Sequence, residues 1–281
     1  MLCGHEALYV CTHAWVPEHL VDYVATVSGK EAFLVEDFVC YRGQGVVLVV
    51  GYPLGQAFEI HALIKTLEHI KKEIRPSRLF LIAPEIPPWE GLRPTGASDS
   101  YFRLDLGGFR PSPKVQNMLR RASRELDVLE SPRAGKEHEA LLEQFLASKR
   151  LSGESQRILK ALPRYVEEVA GSILFDAYDK KGRLVSFCVG QMGAGDWAFY
   201  MFHVNSPSLR VPGSSDLVLG AFLNKAMEQN KRFVNLGLGV NPGVSFFKKK
   251  WGASSFVDYK EASVFWGRWR CTIELFSQGR G

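Results

Sequence analysis

Apolar and polar positions recur with clear periods along most of this chain. Leu8 to Trp15 reads as a strand, and Pro17-Glu18 opens a helix to about Val27, where proline suits the first turn. Ala32–Tyr41 and Gly45–Val50 are apolar runs split by Arg42-Gly43-Gln44-Gly45, which predicts one hairpin. Between Ala57 and Ile74 apolar residues fall at positions 57, 60, 63, 64, 67, 70 and 74, a helical spacing. Arg78–Ala83 reads as a strand closed by prolines, Ser100–Leu106 alternates as another, and Pro113–Arg124 is helical.

The second half continues with a short strand, Leu126–Glu130, and two helices, Lys136–Lys149 and Ser155–Val169. Ser172–Tyr178, Leu184–Gln191 and Trp197–Val204 follow as strands with tight turns, which predicts an antiparallel meander. A loop leads to a helix from Ser214 to about Asn230, then to a strand, Phe233–Leu238, a turn, a short helix and two further strands. Each half therefore carries a meander, a long helix and then a strand. The pattern predicts a mixed α+β fold, in which each half is a mostly antiparallel sheet flanked by helices. The division falls at residues 1–124 and 125–281.

Composition narrows the class. Of 281 residues, 46% are hydrophobic and 23% charged, values of a globular chain. No apolar run is long enough to span a membrane and the first residues lack a signal peptide's form, so a cytoplasmic location is expected, with peripheral membrane contact left open. Cys3, Cys11, Cys40, Cys188 and Cys271 are scattered without metal-like spacing; reduced thiols and no metal are expected. The net charge of +5 is too mild to announce a nucleic-acid binder. Trp266, Arg268, Trp269 and Arg270 read as strand packing rather than a base-stacking platform.

Three stretches carry candidate chemistry. In Arg232–Gly252 a strand meets Gly237 and Gly239, passes the turn Asn241-Pro242-Gly243 and hands over to a helix. Glycine there marks a bulge or a close approach of another group, so this is read as the floor of a ligand slot. Arg210, Gly213 and Ser215 fit R-x-x-G-x-small before a helix, a spacing that suits pyrophosphate on backbone N–H groups. The same residues also read as an ordinary capped helix, and Asp216 and Pro212 oppose an anion. Gly107–Arg124 carries Arg110, Lys114, Arg120, Arg121 and Arg124 with no acidic residue, which suits either phosphate groups or a solvated face. His203, late in the third meander strand, and Asn235, inside an apolar strand, are candidate catalytic groups; packed core is the other reading of each. Lys248, Lys249 and Lys250 form a basic helix end.

A third meander strand, the Arg210–Ser215 loop, a helix and a strand opening at glycines together resemble the GNAT acyltransferase superfamily. The resemblance covers about Leu126–Trp266 and, more faintly, the first half. It implies donor binding by Arg210, Gly213, Ser214 and Ser215, with Leu238, Gly239 and Val240 lining the arm of an acetyl-CoA or other acyl-CoA donor. It implies transfer to a small-molecule or peptide amine, with Phe247, Lys248, Arg121 and Arg124 on the substrate side. The tandem arrangement, with DSYFRLDL, KVQNMLRRASRELDV and FKKKWGA, is similar to the Fem-type group and to the soluble domain of phosphatidylglycerol lysyltransferases, whose donor is aminoacyl-tRNA. GNAT enzymes often place a tyrosine in the helix after the opened strand; Phe246, Phe247 and Lys248 stand there instead. That departure suits direct proton transfer, a different donor, or a binding protein on the same scaffold.

Overall fold

The computed structural model describes residues 2–96 and 98–266. They form two compact units, one built from the chain up to Tyr101 with the strand beyond Ser255, the other from Phe102 to Ser254. This differs from a division at 124/125, because Phe102, Leu104, Leu106 and Val115 are buried in the second unit's core.

The first unit holds α1 (Gly4–His13), a single 3-10 turn at Pro17–His19, α2 (Val21–Ser28), β1 (Glu31–Val35), β2 (Phe38–Gly43), β3 (Val46–Val50), α3 (Ile60–His69), β4 (Arg78–Ala83), β5 (Arg93–Pro94) and the start of β6 (Asp99–Asp105). The expected strand at Leu8–Trp15 is helical instead. Glu6 accepts the Cys3 N–H at 2.8 Å in the first turn, and Tyr9 Oη reaches Asp37 at 2.6 Å. These bonds outweigh the β preference of LYVCT. The first apolar run is two strands, not one, because Glu36 turns the chain with φ 53°. β1–β2 and β2–β3 are antiparallel, and β3–β4 is parallel with α3 between them. Leu63 and Leu67 of α3, with Ile70 of the π-helical turn that continues it (Ile70–Ile74), enter the core against Val47, Val49, Leu79 and Leu81.

The second unit contains the end of β6, α4 (Pro113–Ala122), β7 (Leu126–Ser131), α5 (Lys136–Ser148), α6 (Gly153–Lys160), α7 (Leu162–Glu168), β8 (Ser172–Asp179), β9 (Leu184–Gln191), β10 (Trp197–Asn205), α8 (Ser214–Glu228), β11 (Phe233–Leu238) and α9 (Pro242–Lys250). The helix expected over Ser155–Val169 is broken at Ala161, where Pro163 lacks the N–H needed to continue it. β7 to β10 run as an antiparallel meander, and β11 joins β10 in parallel across α8. Val218, Leu219, Phe222, Leu223 and Ala226 of α8 cover the sheet. Gly190 permits this: a Cβ there would stand 2.2 Å from the Phe222 ring.

β12 (Ser254–Phe265) returns to the first unit and pairs antiparallel with β4, from Lys260↔Ala83 to Phe265↔Arg78. It is one twelve-residue strand where two were expected. Trp266 packs edge-on against Trp89 at 5.6 Å; Arg268, Trp269, Arg270 and Cys271 lie outside the described residues. The fold is mixed α+β, and a meander, a helix and a parallel strand occur in each unit, as β1-β2-β3-α3-β4 and as β8-β9-β10-α8-β11. Among the described residues no helix is long and apolar enough to cross a membrane.

Candidate active site

Strand pairing sets the site. β10 and β11 pair only through Trp197↔Phe233, Ala198↔Val234 and Phe199↔Asn235. β11 then runs on to Leu238 and β10 to Asn205, with an irregularity in β10 between Tyr200 and Phe202. Two parallel strands that part midway leave a wedge whose walls are main chain.

Several groups hold that wedge open. Asn235, fully buried, accepts the Gly237 N–H on its side-chain oxygen at 2.7 Å, and Gly237 takes φ 76°. The chain then reverses through a three-residue turn in which Asn241 N–H reaches Gly239 O at 2.6 Å and Val240 adopts φ 59°. A left-handed β-branched residue is strained, at a cost of about 1–3 kcal/mol. Asn241 caps α9 by accepting from Val244 N–H at 3.0 Å, and Ser245 Oγ donates to Gly239 O at 3.3 Å. Lys248 is buried, with its ammonium donating to the Leu238 carbonyl and lying 5.5 Å from the centre of the Phe102 ring.

The three lysines thus diverge from a uniform basic end. Lys248 is buried, Lys249 is exposed, and Lys250 pairs with Asp216 at 2.5 Å. Asp216, buried in the first turn of α8, also accepts the Trp251 indole N–H at 2.8 Å. The negative charge that opposed an anion at this helix end is therefore offset by a cation and a hydrogen bond.

The start of α8 is knit to β10. Gly213 precedes the helix with φ 87°, and a Cβ there would lie 3.0 Å from both Ala122 Cβ and Met118 Sδ of α4. Ser215 Oγ meets His203 Nε2 at 3.0 Å and receives Asn205 Nδ2 at 3.0 Å, while Ser214 Oγ donates to Asn205 Oδ1 at 3.3 Å. Tyr200 Oη lies 2.6 Å from His203 Nδ1, and Ser186 Oγ lies 3.3 Å from Nε2. Both imidazole nitrogens are occupied. Burial holds the His203 pKa below its ordinary value, against the opposing pull of Asn205 and the Asp216 charge. The structure brings His203, Ser214 and Ser215 together at the first turn of α8, and Asn235, Leu238, Gly239, Val240 and Lys248 together at the wedge. It leaves Arg210 exposed on the loop.

α4 lies beside this helix end. Met118 and Ala122 face Gly213, and Lys114 and Arg121 border that face at helical spacing. Lys114, Arg120, Arg121 and Arg124 are all exposed and none makes an ion pair with a described residue. Phe247 packs partly buried on the core, with Lys250 Nζ 5.0 Å from the centre of its ring.

No protein-family model and no curated protein matches the sequence. Solved structures do match. L-PGS from Bacillus licheniformis superposes with TM-score 0.59 at 14% identity, covering 89% of this chain and 88% of that one. FemX superposes with TM-score 0.61 at 12% identity, covering 92% and 96%. A GCN5-related N-acetyltransferase from Kribbella flavida gives TM-score 0.54 at 13% identity, covering 87% and 95%. The fold is GNAT-type. β10 and β11 part after Phe199 and Asn235, and α8 starts at Ser214 behind Gly213. Sequence reasoning missed Asn205, Ser186 and Tyr200, because nothing in their local spacing marks a network assembled from two strands and a helix. It also missed that Asp216 is neutralised, since Lys250 lies far along the chain.

Proposed function

We propose that this protein transfers an acyl group to an amine. The observation that carries the reading is the wedge opened between β10 and β11 after Phe199 and Asn235. A donor's extended arm takes the place of the missing strand pairing, with the backbone of Leu238, Gly239 and Val240 as its wall. A neutral amine attacks the carbonyl; the tetrahedral oxyanion collapses and the carrier leaves. α9 holds no tyrosine to protonate the leaving group, so that proton comes from the acceptor amine itself or from solvent.

The donor is acyl-CoA, with its pyrophosphate at the first turn of α8. The exposed Arg210 and the pairing of Asp216 with Lys250 support this. His203 and Asn205 act here by fixing Ser214 and Ser215, and hence the direction of the turn's N–H groups. A second reading, aminoacyl-tRNA as donor, is favoured by the exposed cations of α4 and the residues just after it, Lys114, Arg120, Arg121 and Arg124, none in an ion pair with a described residue. Arg121 and Arg124 would then hold the nucleic acid backbone.

Thermal unfolding with acetyl-CoA, free CoA and bulk tRNA, at low and moderate salt, tests this. A ligand bound only by the folded state raises the midpoint with its concentration. The expected result is a salt-tolerant shift with CoA that Arg210→Ala reduces. A shift with tRNA alone, fading as salt rises, selects the second reading. Absence of any shift rejects both donors.

A further inference from the structure

The one large aromatic side chain left bare on α9 is Phe246, 64% exposed beside a helix whose neighbouring Phe247 and Lys248 are packed inward. Its place on the helix is informative. Phe246 lies four residues before Lys250 and so shares its face, and the Lys250 ammonium is bound to Asp216 in the first turn of α8. Phe246 therefore stands one helical turn along α9 from Lys250, the residue whose ammonium reaches the helix end that receives phosphate under the reading above. Lys249, three residues on, is exposed and makes no ion pair with a described residue. A bare ring flanked by an uncompensated cation, next to a helix N-terminus whose acid is neutralised, has the makings of a nucleotide subsite. The ring offers a face for a base and the cation a partner for its phosphate.

We infer that Phe246 is a stacking platform for the adenine of the donor's nucleotide, with Lys249 holding an adjacent phosphate. This rests on the acyl-transfer reading, and it adds what that reading leaves out: the nucleotide end of the donor. The shared chemistry is a phosphorylated adenosine, which both CoA and the terminus of aminoacyl-tRNA supply. Pantetheine fills the β10–β11 wedge; the base lies outside it on α9. Phe246 is then a specificity residue that selects adenosine-bearing donors over the bare arm.

Isothermal titration of the full chain, Phe246→Ala and Phe246→Tyr separates the possibilities. One arm compares acetyl-CoA with phosphopantetheine, which keeps the arm and a phosphate but lacks adenosine. The other compares tRNA with and without its terminal adenosine. Phe246→Ala is expected to weaken acetyl-CoA on the order of tenfold and to leave phosphopantetheine unchanged, with Phe246→Tyr close to the parent. If tRNA is the donor, the same loss is confined to tRNA that ends in adenosine. Equal loss for ligands with and without adenosine, or no loss for either, overturns the platform while leaving the donor reading intact. Failure of the parent protein to bind any of these ligands removes the donor reading and the platform with it. A Phe246→Ala effect seen only with phosphatidylglycerol vesicles would make the ring a membrane anchor and also overturns the inference.

Discussion

Single residues carry the chemistry that burial imposes. Glu18, in the 3-10 turn of the first unit, receives Tyr101 Oη at 2.7 Å, and its own backbone carbonyl receives Tyr41 Oη at 2.8 Å. Burial pushes its pKa from 4.5 up to about 7; the Tyr101 hydrogen bond pulls the other way and the Glu261 charge adds to the rise. The folded state thus binds a proton that the unfolded chain releases. The stability this contributes is full below about 4.5 and is lost by about 7, a change on the order of 3 kcal/mol. Glu18→Gln keeps an oxygen for Tyr101 and removes the charge. It should flatten the fall in melting temperature between pH 4.5 and 7 and raise it at pH 8; unchanged pH profiles in both proteins would dismiss Glu18 as the titrating group. Gly213, before α8, and Val240, at the wedge, make a contrast. Glycine takes φ 87° against α4 at little cost, whereas Val240 holds φ 59° under strain, which the surrounding turn must balance.

Elements meet through a few buried polar atoms. α8 and α9 join where Asp216 takes both the Lys250 ammonium and the Trp251 indole N–H. Removing the carboxylate leaves a cation and a donor without partners in a largely buried place, a loss of about 2–4 kcal/mol. Asp216→Ala should therefore destabilise strongly, Lys250→Met less, and the double variant by clearly less than the sum. Urea unfolding of the four proteins measures this cycle, and simple additivity would show that the pair acts independently. His138 and Asp176 tie α5 to β8 in the same manner, at 2.9 Å and fully buried, with Ser131 on the second carboxylate oxygen.

For the whole molecule, chain connectivity matters more than any one contact. The first unit is completed by β12, which arrives after the second unit has been traversed and pairs along all of β4. β4 carries Leu79, Leu81, Ile82 and Ala83, all buried. A chain ending at Ala253 would leave that apolar strand as an open edge. Loss of amide-exchange protection in β3 and β4, with aggregation, is the expected outcome. Native protection there in the shortened chain would mean that the first unit closes without β12.

Much of this was legible in the sequence, and the reason is local. Helical and strand periods located α3, α4, α5, α8, β4 and β6 to β11 closely, because those elements bury one face in regular steps. The meander, helix and strand of each half follow from the same periods. Other features depend on partners far along the chain. The helix at Gly4–His13 is held by Asp37, the second unit begins at Phe102 because its β6 side chains enter that core, and Asp216 is neutralised by Lys250. The wedge itself is a matter of where pairing stops, at Phe199 and Asn235. Spacing along one strand cannot specify that, because it is decided by how two strands, set by the packing of α8 and the turn at Val240, diverge in space.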